Sequence, residues 1–93
     1  MKRSYFNDLA PRWDGLPSPP ESAAGVRRFV ERSGAADARS ILDTGCGTGV
    51  LLPAILEIAA DAAGIVETDF AERMLLENEA KFADRRIRRV CAD

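Results

Sequence analysis

Residues 40–56 read SILDTGCGTGVLLPAIL, an apolar run that meets three glycines at alternate positions and then becomes a second apolar run. The first run contains the β-branched residues Ile41 and Thr44 and predicts a buried strand. The second run predicts a helix that ends near residue 60. Because proline is tolerated only in the first turn, Pro53 places the start of that helix within about 48–51.

The segment ahead of this corner carries several helix boundary signals. Ser18 stands at an N-cap position, Pro19 at the first helical position, and Glu21 completes a capping-box pattern. Gly34 provides a stop at the other end. These signals predict a helix over about 19–33.

Residues 4–17, SYFNDLAPRWDGLP, predict a short helix that is interrupted by Pro11 and forms an arm or a lid. Tyr5 and Trp13 on this arm either cover a cofactor or a substrate, or they are apolar plugs on a polar segment. The predicted organisation is an arm at residues 1–17, followed by an incomplete domain from residue 18 to the end of the chain.

Strand and helix alternate in the remaining sequence, which predicts a second strand, GIVETD, a helix, AERMLLENEAKFA, and a third strand, RIRRVCAD. This order predicts parallel strands with right-handed crossovers and the strand order 3-2-1. The predicted fold class is α/β, a partial Rossmann-like open parallel sheet of three strands with flanking helices and an N-terminal helical arm. Such a sheet leaves the first strand as an open edge that is prone to pair with another chain.

The glycines predict a backbone surface for a small molecule. Gly45, Gly47 and Gly49 each remove a Cβ and permit a positive φ, and the helix N-terminus that follows favours an anion or carboxylate. The spacing G-x-G-x-G differs from the dinucleotide pattern, and Val50 and Leu51 replace the Lys and Ser/Thr of a phosphate-binding loop. NAD, FAD, ATP and GTP are therefore disfavoured.

An acid at the tip of the second predicted strand adds a second signal. Asp69 is placed to accept hydrogen bonds from the hydroxyl pair of a ribose. Glu67 is the alternative; strand alternation points both carboxylates the same way, but only Asp69 lies at the tip.

Composition excludes several classes of function. The chain has 93 residues, 46% of them hydrophobic and 30% charged, with a net charge of -2, so bulk attraction to nucleic acid or anionic membranes is not indicated. With no histidine, neither a zinc site nor a His-based triad can be assembled, and two cysteines are too few for a disulfide scaffold. No signal peptide or membrane span is predicted, and a reducing cytoplasm fits best. The run RRIRR, residues 85–89, is interpreted as a solvated edge strand rather than an RNA or acidic-substrate contact.

Taken together, ILDTGCGTG, VETDFAERML and VCAD resemble the cofactor-binding half of class I S-adenosylmethionine-dependent methyltransferases, over about residues 40–93. The arm sequence YFNDLAPRWD is similar to the N-terminal arm of the small-molecule branch near the ubiquinone/menaquinone-biosynthesis type. The resemblance implies S-adenosylmethionine (SAM) as the cofactor and no metal.

The resemblance also implies a set of cofactor-binding residues, namely Asp43, Gly45, Cys46, Gly47, Asp69, Phe70, Ala71 and Asp93. The first four would hold the methionine moiety, Asp69 the ribose, and the last three the adenine. Asp43 is alternatively a residue that only orders the glycine turn. Met74 and Leu75 match the family motif, but their helical spacing favours the core.

The implied function is methyl transfer from SAM to a small-molecule acceptor. Because the chain stops after the third strand, we expect a truncated piece of such an enzyme, and no general base can be named. The alternative is a non-catalytic cofactor-binding or assembly module that completes its sheet by self-association or with a partner chain. A dinucleotide-binding fragment is a third, disfavoured reading.

Overall fold

The computed structural model describes residues 3–15 and 22–92 of the chain. Strands and helices alternate as predicted after an N-terminal helical segment. The elements are α1 (Arg3–Leu9), a 3₁₀ helix (Ala10–Gly15), α2 (Ser22–Arg32), a short 3₁₀ helix (Ala35–Asp37), β1 (Ser40–Thr44), α3 (Leu52–Ile58), β2 (Gly64–Asp69), α4 (Glu72–Lys81) and β3 (Ile87–Cys91).

The three strands form one parallel sheet in the order β1-β2-β3, which confirms the predicted fold class and strand order. β1 and β2 pair from Ser40 opposite Gly64, so that Asp43 lies opposite Glu67. Glu67 in turn lies opposite Arg89 of β3. One row across the sheet therefore carries two acids and a base.

Within residues 3–15 and 22–92, helices cover only one face of this sheet. The main core lies between that face and the helices, and it includes Val30 of α2, Leu52 and Ile55 of α3, and Ile65 and Ile87 of the strands. Both crossovers run in the same direction along the sheet with the same hand, so their helices must lie on the same side.

The side chains on the opposite face are half-buried or exposed. Leu42 is 65% exposed and Val90 is 47% exposed, large fractions for apolar side chains within strands. We call this surface the open face; its side chains are Leu42, Thr44, Val66, Thr68, Arg88 and Val90. The unpaired edge of β1 borders it.

The helix boundaries agree closely with the sequence signals that can be checked. Gly34 follows α2 with a φ of 84°, the left-handed conformation expected at a helix stop. Pro53 lies in the first turn of α3, as predicted. The cap and capping-box residues assigned to α2, at positions 18–21, lie outside the described residues.

The arm is packed against the rest of the molecule. The α-helix of the arm ends at Leu9, two residues before Pro11, because proline has no backbone N–H to donate to the carbonyl four residues earlier. The chain continues as a 3₁₀ helix that contacts α4. Asn7 Oδ1 accepts a hydrogen bond of 2.9 Å from the Arg73 backbone N–H in the first turn of α4.

β3 lies at the edge of the sheet, as predicted, but two residues of the basic run 85–89 are not simply solvated. Arg86 pairs with Asp84 at 2.9 Å and donates to the backbone carbonyls of Ala60 and Ala62, which follow α3. Arg89 is half-buried beneath α4. The basic run thus also ties the loops and helices to the sheet.

Several features bear on partners and cofactors. In residues 3–15 and 22–92, every helix is too short or too polar to cross a bilayer. The same residues contain no group of three or more His, Cys, Asp or Glu side chains arranged to hold a metal ion. Both cysteines are free thiols, with Cys46 buried and Cys91 exposed.

Candidate functional site

The glycine turn between β1 and α3 has the backbone conformation that its sequence predicts. Gly45, Gly47 and Gly49 have φ values of 64°, 56° and 100°, all in the left-handed region. A Cβ on Gly45 or Gly47 would meet nothing within 4 Å. These two glycines therefore leave bare backbone beside open space, where a ligand can lie.

Gly49 serves a different purpose. A Cβ on this residue would lie 2.9 Å from Phe82 Cε2 and 3.1 Å from Asn78 Nδ2. The first distance is shorter than real Cβ contacts, and the second is tighter than most of them, so the third glycine favours the close approach of the turn to the α4 region.

Asp69 lies at the tip of β2 and touches the glycine turn. Its Oδ2 accepts a hydrogen bond of 2.8 Å from the Gly47 backbone N–H, and its Oδ1 accepts one of 2.9 Å from the Ala71 N–H. Each carboxylate oxygen has a further lone pair, so hydroxyl donors can still bind there. The structure thus brings Asp69 to the corner, while its predicted role in binding ribose stays a prediction.

A pocket of about 230 Å³ opens over this corner. It is lined by Phe6, Trp13, Gly45, Gly47, Asp69, Phe70 and Met74. Four of these residues were predicted as cofactor-binding residues from the sequence. The arm supplies the aromatic wall, with the Phe6 ring 5.3 Å from Phe70 and 6.0 Å from Trp13 between ring centroids.

Three other predicted cofactor-binding residues do not line the pocket. Asp43 is buried beneath the turn, Cys46 is buried within it, and Ala71 is fully buried in a small core with Ala10 and Met74. Asp93 lies outside the described residues.

The sequence left two roles open for the arm aromatics and for the Met–Leu pair of α4, and the structure shows where each of these side chains lies. Met74 belongs to the core and also lines the pocket, whereas Leu75 is buried away from it. Trp13 faces the pocket, while Tyr5 is 59% exposed and packs edge-on against Phe6. Of the two arm aromatics that the sequence singled out, only Trp13 lies where it can cover a ligand.

Asp14 joins the arm to the corner. Its Oδ1 accepts a hydrogen bond of 2.7 Å from Thr48 Oγ1 in the glycine turn, and its Oδ2 pairs with Lys81 Nζ of α4 at 2.7 Å. Burial alone would raise the pKa of Asp14, but the hydrogen bonds from Lys81 and Thr48 outweigh it and lower the pKa. We call this set of contacts the Asp14 latch. Sequence reasoning missed it because no local pattern marks a contact across such separations.

A pair of buried acids lies under the turn. Asp43 and Glu67 are neighbours on β1 and β2, and they are 7% and 0% exposed. Burial, followed by the adjacent carboxyl group of Asp43, raises the pKa of Glu67 to about 8. The sequence considered Glu67 only as a substitute for Asp69, and its one signal was an acid on the inward face of a predicted strand.

Asn78 of α4 completes this buried cluster. Its Nδ2 donates to Glu67 Oε1 at 2.9 Å, and its Oδ1 accepts from Arg89 Nε at 2.8 Å. Burial, then the nearby charges of Glu67, Asp43 and Asp69, raise the pKa of Cys46, so that this residue stays a thiol. A buried thiol held in this form is not a nucleophile.

Comparisons with known proteins identify the fold. No protein-family model matches the chain, and neither does any curated protein sequence. Among solved structures, a complex of DhpI with SAM and HEP superposes on 97% of this chain with a TM-score of 0.74 and 21% identity. Magnesium protoporphyrin IX methyltransferase from Synechocystis with bound S-adenosylhomocysteine (SAH) matches 98% of this chain, with a TM-score of 0.66 and 20% identity.

A SAM-dependent methyltransferase from Aquifex aeolicus matches all of this chain with a TM-score of 0.65 and 15% identity. The chain covers 40% of the DhpI chain, 49% of the Synechocystis chain and 48% of the Aquifex chain. Over its described residues, this chain has the fold of part of a class I SAM-dependent methyltransferase.

Proposed function

We propose that this chain is the SAM-binding part of a methyltransferase. The observation that carries the proposal is the bare backbone at Gly45 and Gly47, which lies beside the Asp69 carboxylate in a pocket with aromatic walls. The structures with the same fold include complexes with SAM and SAH. The donors and open space of this corner suit a ligand with a polar chain, a ribose and an aromatic base.

In this proposal, different residues of the corner contact different parts of SAM. Asp69 accepts hydrogen bonds from the ribose hydroxyls, while Phe70 and the buried backbone of Ala71 flank the adenine, with Asp93 at its amino group. Gly45, Cys46 and Gly47 present backbone to the methionine end. When bound, the cofactor supplies a methyl group that is already activated by a sulfonium charge.

The remaining task of the protein is to align the two reactants and exclude water. Trp13 and Phe6 close the pocket from the arm side, and Asp43 lies as a buried negative group below the methionine end. The methyl acceptor is then recognised by the arm and by parts of the fold beyond these three strands. We propose a small-molecule acceptor, in keeping with the arm's similarity to the quinone-biosynthesis branch.

The open face and the free edge of β1 support the view that this chain works as part of a larger sheet. Further strands, from the same polypeptide or from a partner or second copy, would cover Leu42 and Val90. We place the protein in the reducing cytoplasm because Cys46 and Cys91 are free thiols. A non-catalytic module that completes its sheet with a partner would use the same edge, and no feature of the structure favours it over the enzyme.

Calorimetric titration of the 93-residue chain with SAH tests the proposal. We expect saturable binding by the wild-type chain, none with NAD, and none in Asp69→Ala. Asp69→Asn separates loss of charge from loss of folding, and Asp61→Ala removes an exposed acid as the matched control. Failure of the folded wild-type chain to bind SAH would overturn the proposal, and undiminished binding by Asp69→Asn would remove Asp69 from the site.

A further inference from the structure

We propose that Glu67 is a positioning residue that holds Asp43 beneath the glycine turn through one shared proton, and that a cationic ligand at the turn releases this proton. The second clause rests on the proposed function, because SAM is the cationic ligand considered. The first clause concerns the protein alone. Neither clause follows from the glycine motif or from the role assigned to Asp69.

The strand register places the two acids side by side. Asp43 and Glu67 are direct partners across β1 and β2, and both point toward the face that the helices cover. More than nine-tenths of each residue is buried. Two carboxylates so close together in a dry environment cannot both be ionised without a large cost.

The hydrogen bonds that the described residues make around the two acids leave one oxygen of each carboxyl group without a partner. Within the described residues, Asp43 Oδ2 and Glu67 Oε2 are both buried and both lack a hydrogen-bond partner. A buried polar atom without a partner costs roughly 1–3 kcal/mol. One proton on Glu67, donated to Asp43, supplies a partner for both oxygens and removes the repulsion.

Charge compensation by Arg89 is incomplete. Arg89 lies opposite Glu67 on β3, but its Nε donates to Asn78 Oδ1 and its Nη2 donates to the Phe82 carbonyl. Asn78 therefore stands between the base and the acid, and it gives Glu67 a neutral donor. Among the described residues, Glu67 has no ion-pair partner within 4.0 Å.

The other groups around the pair act in both directions. The amide donor of Asn78 favours the ionised form of Glu67, but burial outweighs it. Cys46 in the turn is a buried thiol, Asp69 adds a negative charge from the end of β2, and the side chain of Leu52 in α3 is apolar. The pair with its proton carries one negative charge, and a new cation above the turn favours a second.

The first experiment measures stability against pH without any ligand. A pKa raised from 4.5 to about 8 means that folding favours the protonated form of Glu67, so its contribution to stability is fully present below about pH 4.5 and is lost as the pH rises to about 8. Loss of this contribution from Glu67 is expected to raise the unfolding equilibrium constant of the wild-type chain by up to about tenfold per pH unit within this window.

Glu67→Gln is the decisive variant because its amide keeps a donor for Asp43 and an acceptor for Asn78 but cannot ionise. We expect Glu67→Gln to lose this slope in denaturant unfolding from about pH 5 to about pH 9, while Glu79→Gln, an exposed acid on α4, keeps it. A wild-type slope identical to that of Glu67→Gln would overturn the shared proton.

The second experiment measures proton release on binding. Calorimetric titrations with SAM are run near neutral pH in two buffers of different ionisation enthalpy, with SAH, which lacks the sulfonium charge, as the comparison ligand. We expect SAM to release up to one proton, SAH to release less, and Glu67→Gln to release none. A wild-type heat of SAM binding that does not depend on the buffer would overturn the ligand-linked clause.

The two failures remain distinguishable. No binding of SAM by the folded chain overturns the proposed function and the ligand-linked clause together. The stability slope of the first experiment then still decides whether Asp43 and Glu67 share a proton.

Discussion

At the level of single residues, the three glycines of the turn differ in what surrounds them. Gly45 and Gly47 have open space where a Cβ would stand, whereas Gly49 faces Phe82 and Asn78 at contact distance. All three share a left-handed φ, which costs a non-glycine residue roughly 1–2 kcal/mol. Ligand binding and stability should therefore respond differently at each position.

We predict that Gly47→Ala destabilises the chain by about 1–2 kcal/mol through backbone strain and abolishes SAH binding, because its methyl group enters the space of the ligand. Gly49→Ala should destabilise it by more, since the 2.9 Å contact with Phe82 adds to the same strain. Denaturant unfolding measures the stability of both variants, and calorimetric titration measures their SAH binding.

As a control, Gly25→Ala in α2 should stabilise the chain by about 0.5–1 kcal/mol and leave SAH binding unchanged. Equal losses of stability at Gly47 and Gly49 would contradict the distinction.

At the glycine turn and the tip of β2, local sequence pattern was enough to pick out residues that lie together, while their role in binding a cofactor stays a prediction. Gly45, Gly47, Asp69 and Phe70 were expected at the site and meet at one pocket. Glu67 was set aside because only Asp69 lies at the strand tip. The burial of Glu67 was not predicted, because it depends on which helix packs over β2, and the strand itself does not encode that.

At the level of elements, the arm is held by a few polar contacts to α4 and to the glycine turn. Asp14 bonds to Thr48 and Lys81, which lie 34 and 67 residues away in the sequence. Contacts of this kind depend on how the elements pack, which explains why the sequence predicted an arm but not its attachment. By contrast, the bounds of β2 were predicted correctly because its β-branched residues and the glycine and aspartate at its ends mark them locally.

We predict that Asp14→Ala loosens the arm while lowering the stability of the whole chain by at most about 1 kcal/mol, because its ion pair is partly exposed. Trp13, the single tryptophan, lies beside Asp14 and reports on the arm. Its fluorescence should be quenched more strongly by acrylamide in Asp14→Ala than in the wild type. Asp8→Ala removes an exposed acid of α1 and should leave quenching unchanged; equal quenching in both variants would contradict the latch.

α4 depends on the arm for its N-terminal cap. Its own N-cap position, Ala71, has no side chain that can accept a hydrogen bond, and Asn7 Oδ1 binds the Arg73 N–H instead. We predict that Asn7→Ala costs about 1 kcal/mol in denaturant unfolding, whereas Asn7→Asp, which keeps an acceptor oxygen, retains most of the stability. An equal loss in both variants would show that the cap does not support α4.

At the level of the whole molecule, the sheet is covered on one side only. Beside the free edge of β1 lies a groove of about 290 Å³, whose lining includes Phe29, Ile41 and Leu42. The sequence predicted this open edge from the strand order. It did not predict the extent of the open face, because that depends on both crossovers placing their helices on the same side.

We predict that the chain self-associates as its concentration rises, because the unpaired edge and the open face bury apolar side chains against another copy. Leu42→Lys on this face should reduce association in sedimentation velocity. Leu76→Lys changes a leucine of similar exposure, 63% against 65%, on α4 and serves as the matched control. Equal effects of both variants, or a monomer at all concentrations, would contradict the use of this surface.

The contact of Gly49 with Asn78 and Phe82 has a consequence for how such chains are read in genomes. This glycine is required by the packing of the fold and not by a bound molecule, so a descendant that no longer carried out any reaction would still be selected to keep it. Gly49 thus records the fold alone, whereas Gly45 and Gly47 record both their backbone conformation and the open space beside them. Surveys that score the three glycines as one unit would count inactive descendants as working enzymes.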